Sequence, residues 1–447
     1  MKQTQRGVRW LAVAVLLTSL LSGCSKDNTA ASGSNTPAGS DASAKQTTLR
    51  FSWWGGEDRH AATLAAIEAY KQVEPNVTIE AEYQGFDGYE QKIKTQLAGK
   101  TSADIMQLDL PWLQELSRKG DFFVNLKDQP AFDASGLDQE FLNNYSVYND
   151  KLIAVPTGVN AYCLIINKTL ADQLGVPADT EWDWDTLYEA GKKLHEQDSS
   201  KYLLLTDHAA IRQDMVTMLK QRTGSQWVKE DYSLGFTRED AAASFDWLLK
   251  AMEAGVYQPL GESDLFFGKI DQNPKWINQD IVMAPSMSSI LLSLKNVLPA
   301  DVEITTGLPI IAKDAKDSGV LVRPSQLLAV SNDSKHQEEA VKFLNWFMND
   351  KEAAVILGDV RSVPPVKSSQ EAAVAAGKID AAITHAVELG LSRAGIVDNS
   401  VANNSEVQKI MDDIVQKVSY GKSTPEQAAD ELIANLTSKL AELKGRS

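Results

Sequence analysis

Apolar and polar positions alternate over Leu49–Phe51, the period of a half-buried strand. The alternation then breaks into Trp53-Trp-Gly-Gly-Glu-Asp-Arg-His60 before helical spacing takes over from Ala61 to Tyr70. Val77–Tyr83 alternates again, entered through Pro75-Asn76, and reads as a second strand. Tyr89, Ile93 and Leu97 line one face of a helix over 88–97. Asp104–Asp109 is a third strand, and Pro111 opens a third helix at its favoured first-turn position. Strand–helix units repeated at this pitch predict an α/β fold with a largely parallel sheet. Ligands of such sheets gather beyond the carboxyl ends of the strands, which here are Ser52–His60, Gln84–Asp87 and Asp109–Trp112.

Downstream, Leu152–Pro156 and Tyr162–Asn167 form a strand pair, followed by helices over Trp184–His195, Ala209–Arg222 and Arg238–Gly255. Asp301–Ile311 and Ser325–Val330 return to strand spacing, Glu338–Asp350 is an amphipathic helix, and Thr424-Pro-Glu-Gln427 is a capping box. Strands recurring so far from the first three suit two lobes between which the chain crosses more than once. The carboxylates of Asp179–Asp185 lack the glycine turn of a calcium loop, so Asp183 is expected to cap the helix that follows.

The 447 residues exceed what one hydrophobic core usually holds. A net charge of −16 argues against nucleic acid, whose phosphates need a basic face. The N-terminus sets the compartment. Lys2, Arg6 and Arg9 precede an apolar run from Trp10 to Leu21, and Leu21-Ser-Gly-Cys24 follows the lipobox pattern of bacterial lipoproteins. Residues 1–23 are then a signal peptide, Cys24 carries lipid, and 24–46 is a flexible tether too polar to fold. Cys163, the second of the two cysteines, lies in an apolar run and is expected in the core.

Ser52-Trp-Trp-Gly-Gly56, Ala103-Asp-Ile-Met106, Val155-Pro-Thr-Gly158, Ile166-Asn-Lys168, Trp276-Ile-Asn278, Gly307-Leu-Pro309, Pro324-Ser-Gln326 and Val363-Pro364 follow one another along the chain. Together with the lipobox they resemble the extracellular solute-binding proteins (family 1) of bacterial ABC sugar importers, the group that includes maltose-binding protein. Arg59-His60, Arg323-Pro-Ser-Gln326 and Arg361-Ser-Val-Pro364 look most similar to its oligogalacturonide-binding members. The resemblance implies a two-lobed type II fold, with 47–155 and 306–348 as N-terminal lobe and 156–305 and 349–447 as C-terminal lobe. It also implies hinges near Val155–Gly158, Thr305–Gly307 and Leu344–Asn349, closure around an oligosaccharide, and delivery to the transmembrane subunits of an ABC permease by a monomer anchored on the outer face of the membrane.

Oligosaccharides present flat C–H faces and rims of hydroxyls, so their sites combine aromatic platforms with planar polar groups. Trp54 and Trp112 are the expected platforms, and Trp276 a further contact from the opposite lobe. Glu57, His60, Asp109, Asn160 and Gln326 are the expected hydroxyl partners. Arg59, Arg323 and Arg361 are the expected partners of uronic-acid carboxylates, which a guanidinium fork matches in shape. Thr157–Ile166 departs from the acidic-sugar pattern, since it has no Arg or Lys and offers only Asn160 and Tyr162.

No catalytic residue, metal site or cofactor is expected: the five histidines are scattered, and no phosphate loop, dinucleotide fingerprint or nucleophile elbow is present. A secreted polysaccharide-degrading hydrolase or lyase stays open as the alternative, because carboxylate pairs cannot be located in a chain with 60 acidic residues.

Overall fold

The computed structural model describes residues 46–446, so the signal peptide and lipobox, including Cys24, lie outside the described residues. Twelve strands follow along this span: β1 Thr47–Trp54, β2 Val77–Gln84, β3 Ile105–Leu108, β4 Val147–Tyr148, β5 Lys151–Leu152, β6 Val155–Pro156, β7 Val159–Asn167, β8 Tyr202–Leu204, β9 Ile281–Met287, β10 Ile304–Gly307, β11 Val322–Pro324 and β12 Leu327–Val330. β4 and β5 form a hairpin whose two turn residues, Asn149 and Asp150, have φ of 49° and 63°, the left-handed values that a twist-matched turn requires.

The first sheet runs β2-β1-β3-β12-β6, with β1 parallel to both β2 and β3 and β12 antiparallel to β3 and β6. This is the predicted α/β arrangement. One face of β1, formed by Leu49, Phe51 and Trp53, is fully buried. Phe51 meets Phe343 and Phe347 of helix Gln337–Asn349 edge-on at 5.7 and 5.8 Å. The helix after β1 begins at Glu57, four residues before its apolar spacing, because Gly56 is already extended and Glu57 and Asp58 suit a helix N-terminus.

The second sheet runs β10-β7-β9-β8, and β11 pairs with the start of β7. Unlike the first it is mainly antiparallel, because β9, β10 and β11 all run against the nine-residue β7. Helices Trp184–Gln197, His208–Thr223 and Arg238–Glu253 pack in its core, and Asp183 caps the first of them through a complete capping box.

The strand partners move the expected lobe boundaries. Residues 304–307 and 322–324 belong to the second sheet, so the stretch 306–324 does not join the N-terminal lobe. Helices Lys351–Leu357 and Lys367–Ala375 pack on the first lobe rather than the second. Only with Ala381–Ser392, which covers β7 and β10, does the chain return to the second lobe. The chain thus crosses at 157–158, 325–326 and 376–380. Of the expected hinges, Val155–Gly158 coincides with a crossing, Thr305–Gly307 lies inside a strand, and Leu344–Asn349 lies inside a helix.

Two crossings meet at one point beside Arg361. Val159 N–H donates to Val363 O at 2.8 Å, Ser325 N–H to Gly158 O at 2.9 Å, and Ser325 Oγ to Arg361 O at 2.5 Å. Ser362, held at φ 72°, donates from Oγ to Asn160 Oδ1 at 2.6 Å, with Val159 O at 2.9 Å. A Cβ on Gly158 would stand 1.8 Å from Arg361 O, a distance no contact tolerates. Gly158→Ala is therefore expected to destabilise the fold by about 1–3 kcal/mol, measured by urea unfolding; an unchanged midpoint would show that the two backbones can separate freely.

Candidate functional site

Two cavities lie between the lobes and share Val397 and Asp398 in their walls. The first, about 410 Å³, is bounded by Leu110, Pro111 and Tyr145 of the first lobe and by second-lobe residues including Tyr162, Trp227, Met287 and Arg323. The second, about 840 Å³, runs between Gln114, Arg118 and Tyr148 on one side and Gln226, Tyr232 and Ser400 on the other. Tyr145 spans the first cavity's edge and donates its hydroxyl to Val322 O in the opposite lobe.

The predicted residues divide sharply. Arg323 is exposed at the first cavity. Asp109 caps the helix whose first residues, Leu110 and Pro111, line that cavity, its Oδ1 accepting from Leu110 N–H at 2.9 Å. Burial raises the Asp109 carboxyl above the usual range, and the positive charge of Arg323 opposes this. Gln326 stands at the second crossing, its backbone carbonyl accepting from Thr157 N–H at 2.9 Å. Asn160, buried, is tied to Ser362 at the same junction. Glu57 is exposed on the first turn of its helix.

The remaining candidates are structural. Trp276 is fully buried and its indole N–H donates to Leu294 O at 2.9 Å. Trp54 and Trp112 pack on each other at 5.1 Å and on Tyr89, with Phe86 laid over Trp112 at 5.5 Å. They form a closed aromatic cluster rather than open platforms, since both are 7% exposed and Phe86, 53% exposed, takes the solvent side. His60 is buried and accepts the Trp53 indole N–H on Nδ1 at 3.1 Å. Arg59 donates to Val360 O at 2.9 Å and Trp54 O at 3.2 Å, clamping the end of β1 to the Arg361 loop. Arg361 is fully enclosed, donating to Gln107 and to Thr63 Oγ1. Burial, with Arg59's like charge second, lowers its pKa well below the usual value. Neither Arg59 nor Arg361 lines the cleft.

The aromatic side chains with exposed surface at the cleft are instead Tyr148, Tyr162 and Tyr232, while Tyr145 and Trp227, 4% and 2% exposed, are as enclosed as Trp54 and Trp112. Tyr162 was visible in its strand; Tyr148 ends the two-residue strand β4, too short to show a period, and Tyr232 sits in a loop. Among the described residues, neither Arg118 nor Arg323 has a carboxylate within ion-pairing distance, whereas Arg212 is held by both oxygens of Asp412 at 2.6 and 2.7 Å. Among the described residues no group of acidic, histidine and cysteine side chains could hold a metal ion, and no helix is long and apolar enough to cross a membrane.

Two α/β lobes joined by three crossings over a cleft lined from both sides define a periplasmic-binding-protein fold of the maltose-binding-protein type. Residues 54–354 match the family described as bacterial extracellular solute-binding protein, and the chain belongs to it. It is therefore a solute-binding protein of the ABC-importer type, acting outside the cytoplasm. Among solved structures, a periplasmic solute-binding protein from Pectobacterium atrosepticum is 27% identical with a TM-score of 0.78, covering 89% of this chain and 99% of that one. An oligogalacturonide-binding protein from Yersinia enterocolitica, solved with saturated digalacturonic acid, is 25% identical with a TM-score of 0.73 over 89% and 99% of the two chains. A family 1 solute-binding protein from Alicyclobacillus acidocaldarius shares the fold at 24% identity and a TM-score of 0.76, over 89% and 99%.

Beneath the first cavity, helix His208–Thr223 buries the Asp214 carboxyl, which accepts from the Tyr257 hydroxyl at 2.8 Å. Burial pushes its pKa from 3.8 to about 7. The folded state therefore binds this proton more tightly than the unfolded chain, so stability from this group is full below about 3.8 and is lost as pH rises to about 7. Asp214→Asn is expected to raise the Tm at pH 8 by at least ~2 °C more than at pH 4, read by calorimetry; equal shifts at the two pH values would contradict it.

Proposed function

We propose that the protein captures an oligosaccharide containing uronic-acid units between its lobes and hands it to a membrane permease, with lipid on Cys24 holding it at the outer face of the membrane. The observation that carries this is the paired cavity between the lobes. Its two chambers, about 410 and 840 Å³, fall in the size range of ligand sites, ~300–1,000 Å³. Both have Val397 and Asp398 in their walls, so they neighbour one another along the gap between the lobes. Tyr148, Tyr162 and Tyr232, each partly exposed, supply faces for sugar rings, while Asn403, Gln408 and Asn144 supply planar hydrogen-bonding groups.

The acidic part of the proposal rests on Arg118 and Arg323. Both are exposed along the cleft without a carboxylate partner, so an incoming uronate displaces water rather than a native ion pair. The similarity to a digalacturonate-bound relative supports the same choice. Arg59 and Arg361, occupied in the interior, no longer contribute to it.

Closure follows from walls contributed by two lobes. A ligand that touches Tyr148 and Arg118 on one side and Tyr232 and Arg323 on the other binds the closed state better than the open one, and that difference drives the equilibrium. The function needs no bond-breaking group, and we propose no enzymatic activity.

Small-angle scattering should show compaction at saturating oligosaccharide, and an unchanged radius of gyration would refute closure. In a thermal-shift screen, pectin, alginate or starch fragments should raise the Tm and remain uncleaved; cleavage would favour the hydrolase or lyase. Arg323→Ala should weaken uronate oligomers about tenfold, the scale of one charge-assisted hydrogen bond, and neutral ones far less. Equal losses would retire the acidic-sugar assignment.

A further inference from the structure

A third cavity, of about 310 Å³, lies on the first lobe and takes none of its wall from the second. One side is the end of helix Leu110–Lys119 with the turn that follows it, up to Phe123. The other comes from Tyr148, Asn149, Lys151 and Ile153, on and just after the β4–β5 hairpin. Ser117, Arg118, Tyr148 and Asn149 also line the larger cavity between the lobes, so the two cavities are neighbours.

The wall carries Arg118, Lys119 and Lys151 against the one carboxylate of Asp121, in a chain whose net charge is −16. Arg118 and Lys119 close the last turn of their helix, where a cation meets the negative end of the dipole, and the hairpin brings Lys151 to the same cavity. Each of these cations is accessible. Arg118 is exposed and, among the described residues, pairs with no carboxylate. Lys119 meets Glu115 at 2.5 Å and Lys151 meets Asp121 at 2.8 Å, but the two lysine side chains are 62% and 42% exposed. Ion pairs this exposed contribute little to stability, so an arriving carboxylate exchanges for them at small cost, and the released Asp121, itself 63% exposed, stays in water. Phe122 adds a fixed ring to the wall. It is partly exposed and lies so close over Gly120 that a Cβ there would stand 3.1 Å from its edge.

We propose that this cavity is an accessory binding site for the acidic end of an oligouronate longer than the cleft holds. Lys119 and Lys151 meet its carboxylates, Phe122 meets a ring face, and Arg118 meets the unit that passes from one cavity to the other. This rests on the oligosaccharide reading above and deepens it, adding length and charge to the ligand. Because every wall belongs to the first lobe, the site is complete whether the lobes stand apart or together. A long acidic ligand therefore attaches there before closure, with an association rate that falls as salt screens the cations. A neutral sugar gains no charge pairing from the site.

The test uses the mature protein with digalacturonic acid, hexagalacturonic acid and maltohexaose as probes, and affinities from calorimetric titration. The wild type should bind the hexagalacturonate at least about tenfold more tightly than the digalacturonate, the scale of one charge-assisted hydrogen bond. Lys119→Gln/Lys151→Gln should cut that advantage to about threefold or less while leaving digalacturonate affinity within about twofold of wild type, and Lys119→Arg/Lys151→Arg should keep the advantage. Added sodium chloride should shrink the advantage in the wild type and leave maltohexaose unaffected. Equal wild-type affinities for the two uronates, or a glutamine variant that keeps the advantage or loses both uronates to the same degree, overturn the accessory site and leave the oligosaccharide reading intact. Binding of maltohexaose alone overturns the acidic ligand and this site. Failure of the wild type to bind any of the three overturns the oligosaccharide reading as well.

Discussion

The backbone contact between Gly158 and Arg361 is the constraint on which the two-lobed arrangement depends. At that point the strand leaving the first sheet, the strand returning to it, and the Arg361 loop come within hydrogen-bonding distance of one another. Only a residue without Cβ lets the first of these lie against the carbonyl of the last. Ser362 accepts a left-handed backbone there, which a residue other than glycine adopts only when its surroundings compel it. Its hydroxyl does so by bonding to Asn160, so the side chain compensates for the backbone.

Arg361 shows why the junction is also tied to the first lobe. Its guanidinium reaches Gln107 at the end of β3 and Thr63 on the first helix, and lies 5.6 Å from the centre of the Phe347 ring. Among the described residues no carboxylate pairs with it; neutral oxygens and an aromatic face offset part of its desolvation, and its Nε is buried without a hydrogen-bond partner. The loop that touches Gly158 is thereby fixed to a strand and two helices of one lobe, while β7, starting at Val159, is woven into the other.

Much of this architecture was legible in the chain. Alternation at Val77–Tyr83, the Tyr89/Ile93/Leu97 face and the Thr424 box each led to the observed element, because burial on one face leaves a local period. The lobe boundaries were not legible in the same way. Ile304–Gly307 and Val322–Pro324 have ordinary strand composition, and their membership is decided by antiparallel pairing with β7, more than 130 residues away in sequence. The site was harder still. Trp54, Trp112 and Trp276 look like sugar platforms in isolation, yet each is consumed by neighbours that only the tertiary fold supplies. Tyr148 and Tyr232 carry no period and no motif, and their importance comes from facing the same gap.

The arginines make the general point most clearly. Four of them sit near the strand ends or the cleft, and sequence context favoured Arg59, Arg323 and Arg361 over Arg118. What separates them is whether folding has already enclosed the guanidinium and given it native acceptors. Arg59 donates to two backbone carbonyls and Arg361 to two side chains, so moving either towards a ligand would break native bonds and leave buried acceptors empty. Arg323 and Arg118 are exposed at the cavity walls and, among the described residues, pair with no carboxylate. A cation available to a ligand is thus recognised by its exposure at a cavity wall together with the lack of a native partner there, and neither property can be read until the partners of the other polar groups are known.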